Sequence, residues 1–156
     1  MTLQVSTGFK RALLANWPAI FDRGVIGIYN GVRPPTADDA ATGSLLGIVT
    51  QHGNYWAPGD DANGLFYQST GPWVMQRPGA DWVARITRNG TATWFRVVGK
   101  AQDLGEINYD LPRVDGDISD DPDSGAELIL PVVTLMAGDY VPIDMFLYTI
   151  PPIVGA

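Results

Sequence analysis

The chain has 156 residues, 46% hydrophobic and only 17% charged, with a formal net charge of −7. Eighteen glycines and twelve prolines make a poor composition for a helical bundle or coiled coil, and five tryptophans among well-spread aliphatic residues argue against disorder. Cysteine is absent and His52 is the single histidine, which excludes disulfides, thiolate nucleophiles and His- or Cys-rich metal sites.

At this length the expectation is one all-β or mostly-β domain. The opening MTLQVSTGFKR has no apolar stretch behind a basic start, and no run approaches the ~18–20 apolar residues of a membrane span. A protein made in a cytoplasm, without a membrane partner, is expected. Charge divides unevenly: residues 1–100 carry nine Lys/Arg against six Asp/Glu, and residues 101–156 one Arg against eleven Asp/Glu. An acidic chain without a basic stripe is a poor nucleic-acid binder. Most of the acid lies between Asp103 and Glu127, which reads as a solvated loop or as a surface facing the basic part of another copy.

In chain order, Ser6 or Thr7 caps a short helix through Asn16, with Phe9, Leu13 and Trp17 on one face and Pro18 ending it. That face either packs on its own domain or docks on a neighbouring subunit. Gly24–Gly31 and Ser44–Thr50 read as strands, separated by a loop containing Arg33, Pro34 and Pro35. Residues 51–81 are rich in turn residues around a short strand, Leu65–Tyr67. Asn89-Gly90 predicts a type I′ hairpin that sets Ile86 opposite Thr93, Ala84 opposite Phe95 and Trp82 opposite Val97. Its second face would bring Arg85 against Trp94. Beyond the acidic loop, strands over Glu127–Val133 and Tyr140–Ile150 are joined through Ala137–Asp139, with Pro131 and Pro142 marking edges or bulges. Seven or eight strands without helical crossovers predict an antiparallel β-sandwich or jelly roll with one short N-terminal helix. Residues 1–20 read as an N-terminal segment and residues 21–156 as a single β-sandwich domain.

No motif points to a reaction. Asp115–Asp123 could offer calcium several oxygens, but the EF-hand glycine position falls on Asp120 and its glutamate position on Ala126. Asp38-Asp39, Asp60-Asp61 and Asp120-Asp121 are loop carboxylates with no sign of a tuned acid–base pair. His52 lacks an accompanying GxSxG elbow, and neither a P-loop nor GxGxxG occurs. The expectation is therefore no enzyme and no cofactor. Aromatic and arginine side chains in turn-rich segments suit a protein interface, and Phe9, Leu13, Trp17, Arg33, Tyr55, Trp56, Trp73 and Arg77 are its candidate residues. Tyr55, Trp56 and Trp73 could instead fold inward or form a sugar-binding platform.

Three stretches together resemble a family of small virion-associated proteins of tailed bacteriophages and prophages. FDRGVIGIYNGVRPPTADDAATGSLLGIVT carries a strand ending in Ile-Tyr, a Gly-x-x-Pro turn, an Ala-Asp-Asp-Ala run and Gly-x-Leu-Leu. TATWFRVVG holds a Trp-Phe-Arg strand. RVDGDIS followed by SGAELILPVVTLMAGDYVPIDMFLYTIP resembles the closing pattern, which ends in Thr-Ile-x-Pro. The matches cover roughly residues 21–50, 91–99 and 113–151, while the 51–80 segment and the long acidic Gly116–Ser124 stretch depart from the pattern. The resemblance implies a virion structural protein without catalytic residues. Head decoration, in contact with the major capsid protein or other virion proteins and oligomeric on the particle, is the first expectation. A tail, neck or baseplate part is the alternative, and a carbohydrate-binding module a lesser one.

Overall fold

A computed structural model describes residues 6–70 and 73–149, apart from the side chains of Thr7, Phe9, Lys10 and Arg11. Two helices, α1 (Thr7–Ala15) and α2 (Trp17–Ile20), precede the strands β1 (Val25–Tyr29), β2 (Leu45–Gln51), β3 (Tyr67–Thr70) and β4 (Trp73–Gln76). There follow β5 (Trp82–Ile86), β6 (Gly90–Thr91), β7 (Trp94–Val98), β8 (Arg113–Ser119), β9 (Leu128–Ile129), β10 (Thr134–Leu135), β11 (Tyr140–Pro142) and β12 (Met145–Thr149).

The fold is all-β, as composition and turn content required. Ten strands form one continuous sheet in the order β11-β5-β2-β1-β7-β8-β9-β12-β4-β3, and β6 pairs with β10 separately. Among these pairings only β8 with β9 is parallel. The sheet curls until its two ends meet. Tyr67 on β3, at one end of the order, packs edge-on against Trp82 on β5, next to the other end, with ring centroids 5.0 Å apart. Phe146 lies between the layers, 5.7 Å from Trp82 and 5.8 Å from Phe95. T-shaped and tilted rings at these spacings add to the stabilisation from apolar burial. Residues of the N-terminal segment enter the same core: Leu14 and Trp17 are buried in it, and Trp17 touches Phe21, Tyr67, Phe146 and Tyr148.

Several expectations are corrected. Pro18 does not close the helical segment; it sits in the first turn of α2, where its missing N–H costs no hydrogen bond. The inward side chains there are Leu14 and Trp17, whereas Leu13 is exposed. Asn89-Gly90 makes no hairpin between β5 and β7, since β2 and β1 lie between them. Neither residue has the positive φ a type I′ turn demands. Gly90 is instead a close-approach position, because a Cβ there would stand 2.7 Å from Leu46 Cδ2. The Asn89 side-chain oxygen accepts from the Ala137 amide at 2.8 Å. The inward face was nonetheless legible: Trp82, Ala84, Ile86, Phe95 and Val97 are all buried. Arg96, rather than Arg85, lies over the Trp94 ring, at 5.5 Å.

Of the expected strand Glu127–Val133 only β9 forms, Tyr140–Ile150 divides into β11 and β12, and Ala137–Asp139 joins β10 and β11, which pair elsewhere, β10 with β6 and β11 with β5. The acidic stretch is not one loop either. Residues Arg113–Ser119 form β8, paired along β7 from Trp94↔Asp117 to Val98↔Arg113.

Candidate interaction surface

On the outer face of β7 and β8, registration places Arg96 directly opposite Asp115. Arg96 donates from Nε to Asp115 Oδ1 at 2.7 Å and from Nη2 to Oδ2 at 3.0 Å, and the two side chains are 1% and 7% exposed. Nη2 also donates to the Asp39 carbonyl at 3.0 Å, which ties the 33–41 loop to the sheet. Two residues along β8, Arg113 makes a second bidentate pair, Nε to Asp103 Oδ2 and Nη2 to Oδ1, both at 2.7 Å. Its remaining donors go to the carbonyls of Glu106 at 2.7 Å and Ala37 at 3.2 Å. A planar guanidinium fits such paired acceptors, and bidentate geometry fixes orientation as well as distance. Burial works to raise the pKa of Asp103, but hydrogen bonds from Arg113 and the Gly105 amide outweigh it and hold the carboxyl below its ordinary range.

These two pairs clamp a pair of loops onto the sheet. The Ala41 amide donates to the Gly105 carbonyl at 2.8 Å, and the Asn108 amide to the Asp38 carbonyl at 2.9 Å. Asn108 turns the chain by accepting from the amides of Asp110 and Leu111 at 2.8 and 2.9 Å. On the clamped 103–110 loop, Leu104 is 72% exposed, Ile107 58% and Tyr109 76%. Single exposed apolar residues are ordinary. Three within six residues, on a loop anchored by a buried ion pair, form a displayed apolar surface.

Three acids of the C-terminal part are met within the chain. Asp115 pairs with Arg96, Asp103 with Arg113, and Asp117 with Arg33 at 3.3 Å. Arg96 and Arg33 come from the basic part, so the two parts of the chain meet in these ion pairs. No protein-family model, curated protein or solved structure matches the chain. Its relationships therefore rest on residue patterns alone.

Of the residues singled out by sequence, Trp17 belongs to the core and Phe9 lies outside the described side chains. Leu13, Tyr55 and Trp73 are exposed. Trp56 is half-buried, with its indole N–H donating to the Arg23 carbonyl at 3.0 Å. No ring contact joins Tyr55, Trp56 and Trp73 to one another among the described residues. Arg33 is engaged with Asp117, and Arg77 covers the Phe66 ring at 5.6 Å.

His52 hydrogen-bonds Asp81 through Nδ1 at 2.8 Å, and its amide donates to the Asp81 carbonyl at 2.7 Å. Both side chains are more than half exposed, and the double tie locks the turn after β2. Sequence reasoning missed Leu104, Ile107 and Tyr109. The signal was available: three large apolar residues inside the most acidic stretch, where a solvated loop has no use for them.

Proposed function

We propose that the protein is a structural component of a tailed-bacteriophage virion, and within that class a head decoration protein that binds the assembled lattice in many copies. The observation carrying this reading is the Leu104–Ile107–Tyr109 face on a loop fixed by the buried Arg113–Asp103 pair. A preordered apolar face loses little conformational freedom on docking, so more of its burial energy appears as affinity. Repetition over a lattice raises attachment further, because each bound copy holds its neighbours' sites at high local concentration where copies are linked. The virion context comes from the resemblance over residues 21–50, 91–99 and 113–151.

Quantitative mass spectrometry of purified particles, with the position seen by electron microscopy, tests the proposal. A decoration protein is expected at a copy number comparable with the major capsid protein and on the outer head surface. A far smaller number located at the tail, neck or baseplate would replace decoration by that alternative. Absence from washed particles would overturn the virion reading altogether.

A further inference from the structure

The sheet has an open slot between β8 and β12. β9 lies between these strands but is only two residues long, pairing Ile118 and Ser119 on one side and Met145 and Phe146 on the other. In β8 the Ile118 amide donates towards β7, to the Thr93 carbonyl at 3.0 Å, and the Ser119 carbonyl accepts from Leu130 on the opposite side. Main-chain groups alternate sides along a strand. Arg113, Asp115 and Asp117 therefore turn their N–H and C=O groups away from β7, into the slot. The Asp117 amide is taken by the Glu127 carboxylate. Those of Arg113 and Asp115 have no partner among the described residues beyond β9's reach.

On the far wall, the Leu147 amide donates towards β9, to the Glu127 carbonyl at 2.9 Å, so Thr149 turns the same way past the end of that ladder. A single groove is lined by Val114 and Asp115 of β8 and by Leu147, Tyr148 and Thr149 of β12. Alternate residues Arg113, Asp115 and Asp117 line it together with Val114 and Tyr148, which pack against the core, so the groove takes in the strand edges as well as one face.

The charge around the slot selects its occupant. Two arginines line the groove, and both are engaged: Arg33 pairs with Asp117, and Arg113, the one arginine of the C-terminal part, with Asp103. Glu127, Asp120, Asp121 and Asp123 have no ion-pair partner among the described residues. In the chain's own continuation, Pro151 and Pro152 lack the amides a ladder needs. Lys10 and Arg11 of a second copy lie in α1, which is not an extended segment.

We propose that this slot binds an extended, proline-free segment of a partner protein bearing lysine or arginine at alternate positions, added as a strand between β8 and β12. Main-chain hydrogen bonds supply affinity in this mode, and side-chain chemistry supplies selectivity. The slot exists whatever particle the protein belongs to, so the virion assignment and this docking mode stand or fall separately.

The test uses the full chain and three capped peptides: Thr-Lys-Val-Lys-Val-Lys-Thr, the same with glutamate for lysine, and the lysine peptide with its first valine replaced by proline. Amide NMR and hydrogen exchange should show the lysine peptide binding and slowing exchange at Arg113, Asp115 and Thr149 by about tenfold or more. The glutamate peptide should bind about tenfold more weakly or worse, and the proline peptide should give no protection. Thr149→Pro should weaken lysine-peptide binding, as should Asp120→Asn with Asp121→Asn and Asp123→Asn. No binding at about 1 mM, equal binding of the glutamate peptide, or protection confined to other amides would overturn the proposal. So would a self-associated chain, by ultracentrifugation, whose Arg113 and Asp115 amides are protected before any peptide is added.

Discussion

Arg96 and Asp115 face each other across the β7–β8 ladder, joined by two hydrogen bonds, and lie on opposite sides of the chain's division into a basic and an acidic part. Arg96, from the basic part, neutralises Asp115 of the acidic part. A buried ion pair is costly to desolvate, and removing one partner leaves the other charge stranded.

That asymmetry gives the first prediction. Asp115→Ala is expected to destabilise the protein by about 3–5 kcal/mol, because it strands the Arg96 guanidinium. Replacing both residues together, Arg96→Met with Asp115→Leu, should restore most of the loss. Urea unfolding of the two singles and the double measures the coupling. A double variant as unstable as the sum of the singles would show that the pair acts independently of its partner's charge.

The pH dependence should run in two directions. Asp103 has its folded pKa lowered, so its stabilisation is complete above the ordinary value of about 3.9 and is lost as pH falls through the depressed one. Burial, reinforced by the Asp117 charge, raises the pKa of Glu127 against hydrogen bonds from its own amide and that of Asp117. Its contribution is therefore complete below the ordinary value of about 4.3 and is lost as pH rises through the raised one. Glu127→Gln should melt higher than the parent near pH 7 and converge with it in acid. Asp103→Asn should melt lower near pH 7 and lose that deficit below about pH 4. Thermal melts from acid to neutral pH give both signs.

Gly90 separates two accounts of one dipeptide. In a type I′ turn, Gly90→Ala would be harmful through backbone strain. Here φ is not positive and the added methyl meets Leu46, so overpacking of about 1–3 kcal/mol is expected. Leu46→Val in the same chain should relieve part of it, as a double-mutant cycle by chemical denaturation would register. Strict additivity would point back to the backbone.

Core and displayed aromatics should respond oppositely. Trp17→Ala is expected to cost about 3–5 kcal/mol, given its four ring contacts. Tyr109→Ser and Leu104→Ser should change the melting temperature little while lowering occupancy on particles. If both leave occupancy unchanged, the 103–110 loop is not the attachment face.

The positions of β1, β2, β5 and β7 and the inward faces of β5 and β7 were legible because β alternation survives whatever a strand pairs with. Trp82, Ala84 and Ile86 point inward whether their neighbour is β7 or β2. Pairing was not legible, since Asn89-Gly90 has the composition of a tight turn but answers to Leu46 and Ala137. β8 could have been found: in RVDGDIS the charged residues alternate with Val114, Gly116 and Ile118. Weight of acid hid the period of two. The counter-ions were hidden for another reason, as Arg96 and Arg33 reach Asp115 and Asp117 only once β7 and the 33–41 loop are in place.

The position of β12 has a consequence for how the protein is made. The last strand in the described chain sits inside the sheet, between β9 and β4, and β3 and β4 join the other strands only through it. On a ribosome, the β3–β4 hairpin emerges long before Leu147 can pair with Met75. Tyr67 must wait for Phe146 before the aromatic core can close. Such non-local closure is slow, and the waiting hairpin exposes unpaired edges meanwhile. Closure of the sheet therefore waits for β12, and a ribosome stalled before Met145 leaves two separate fragments of that sheet on one chain.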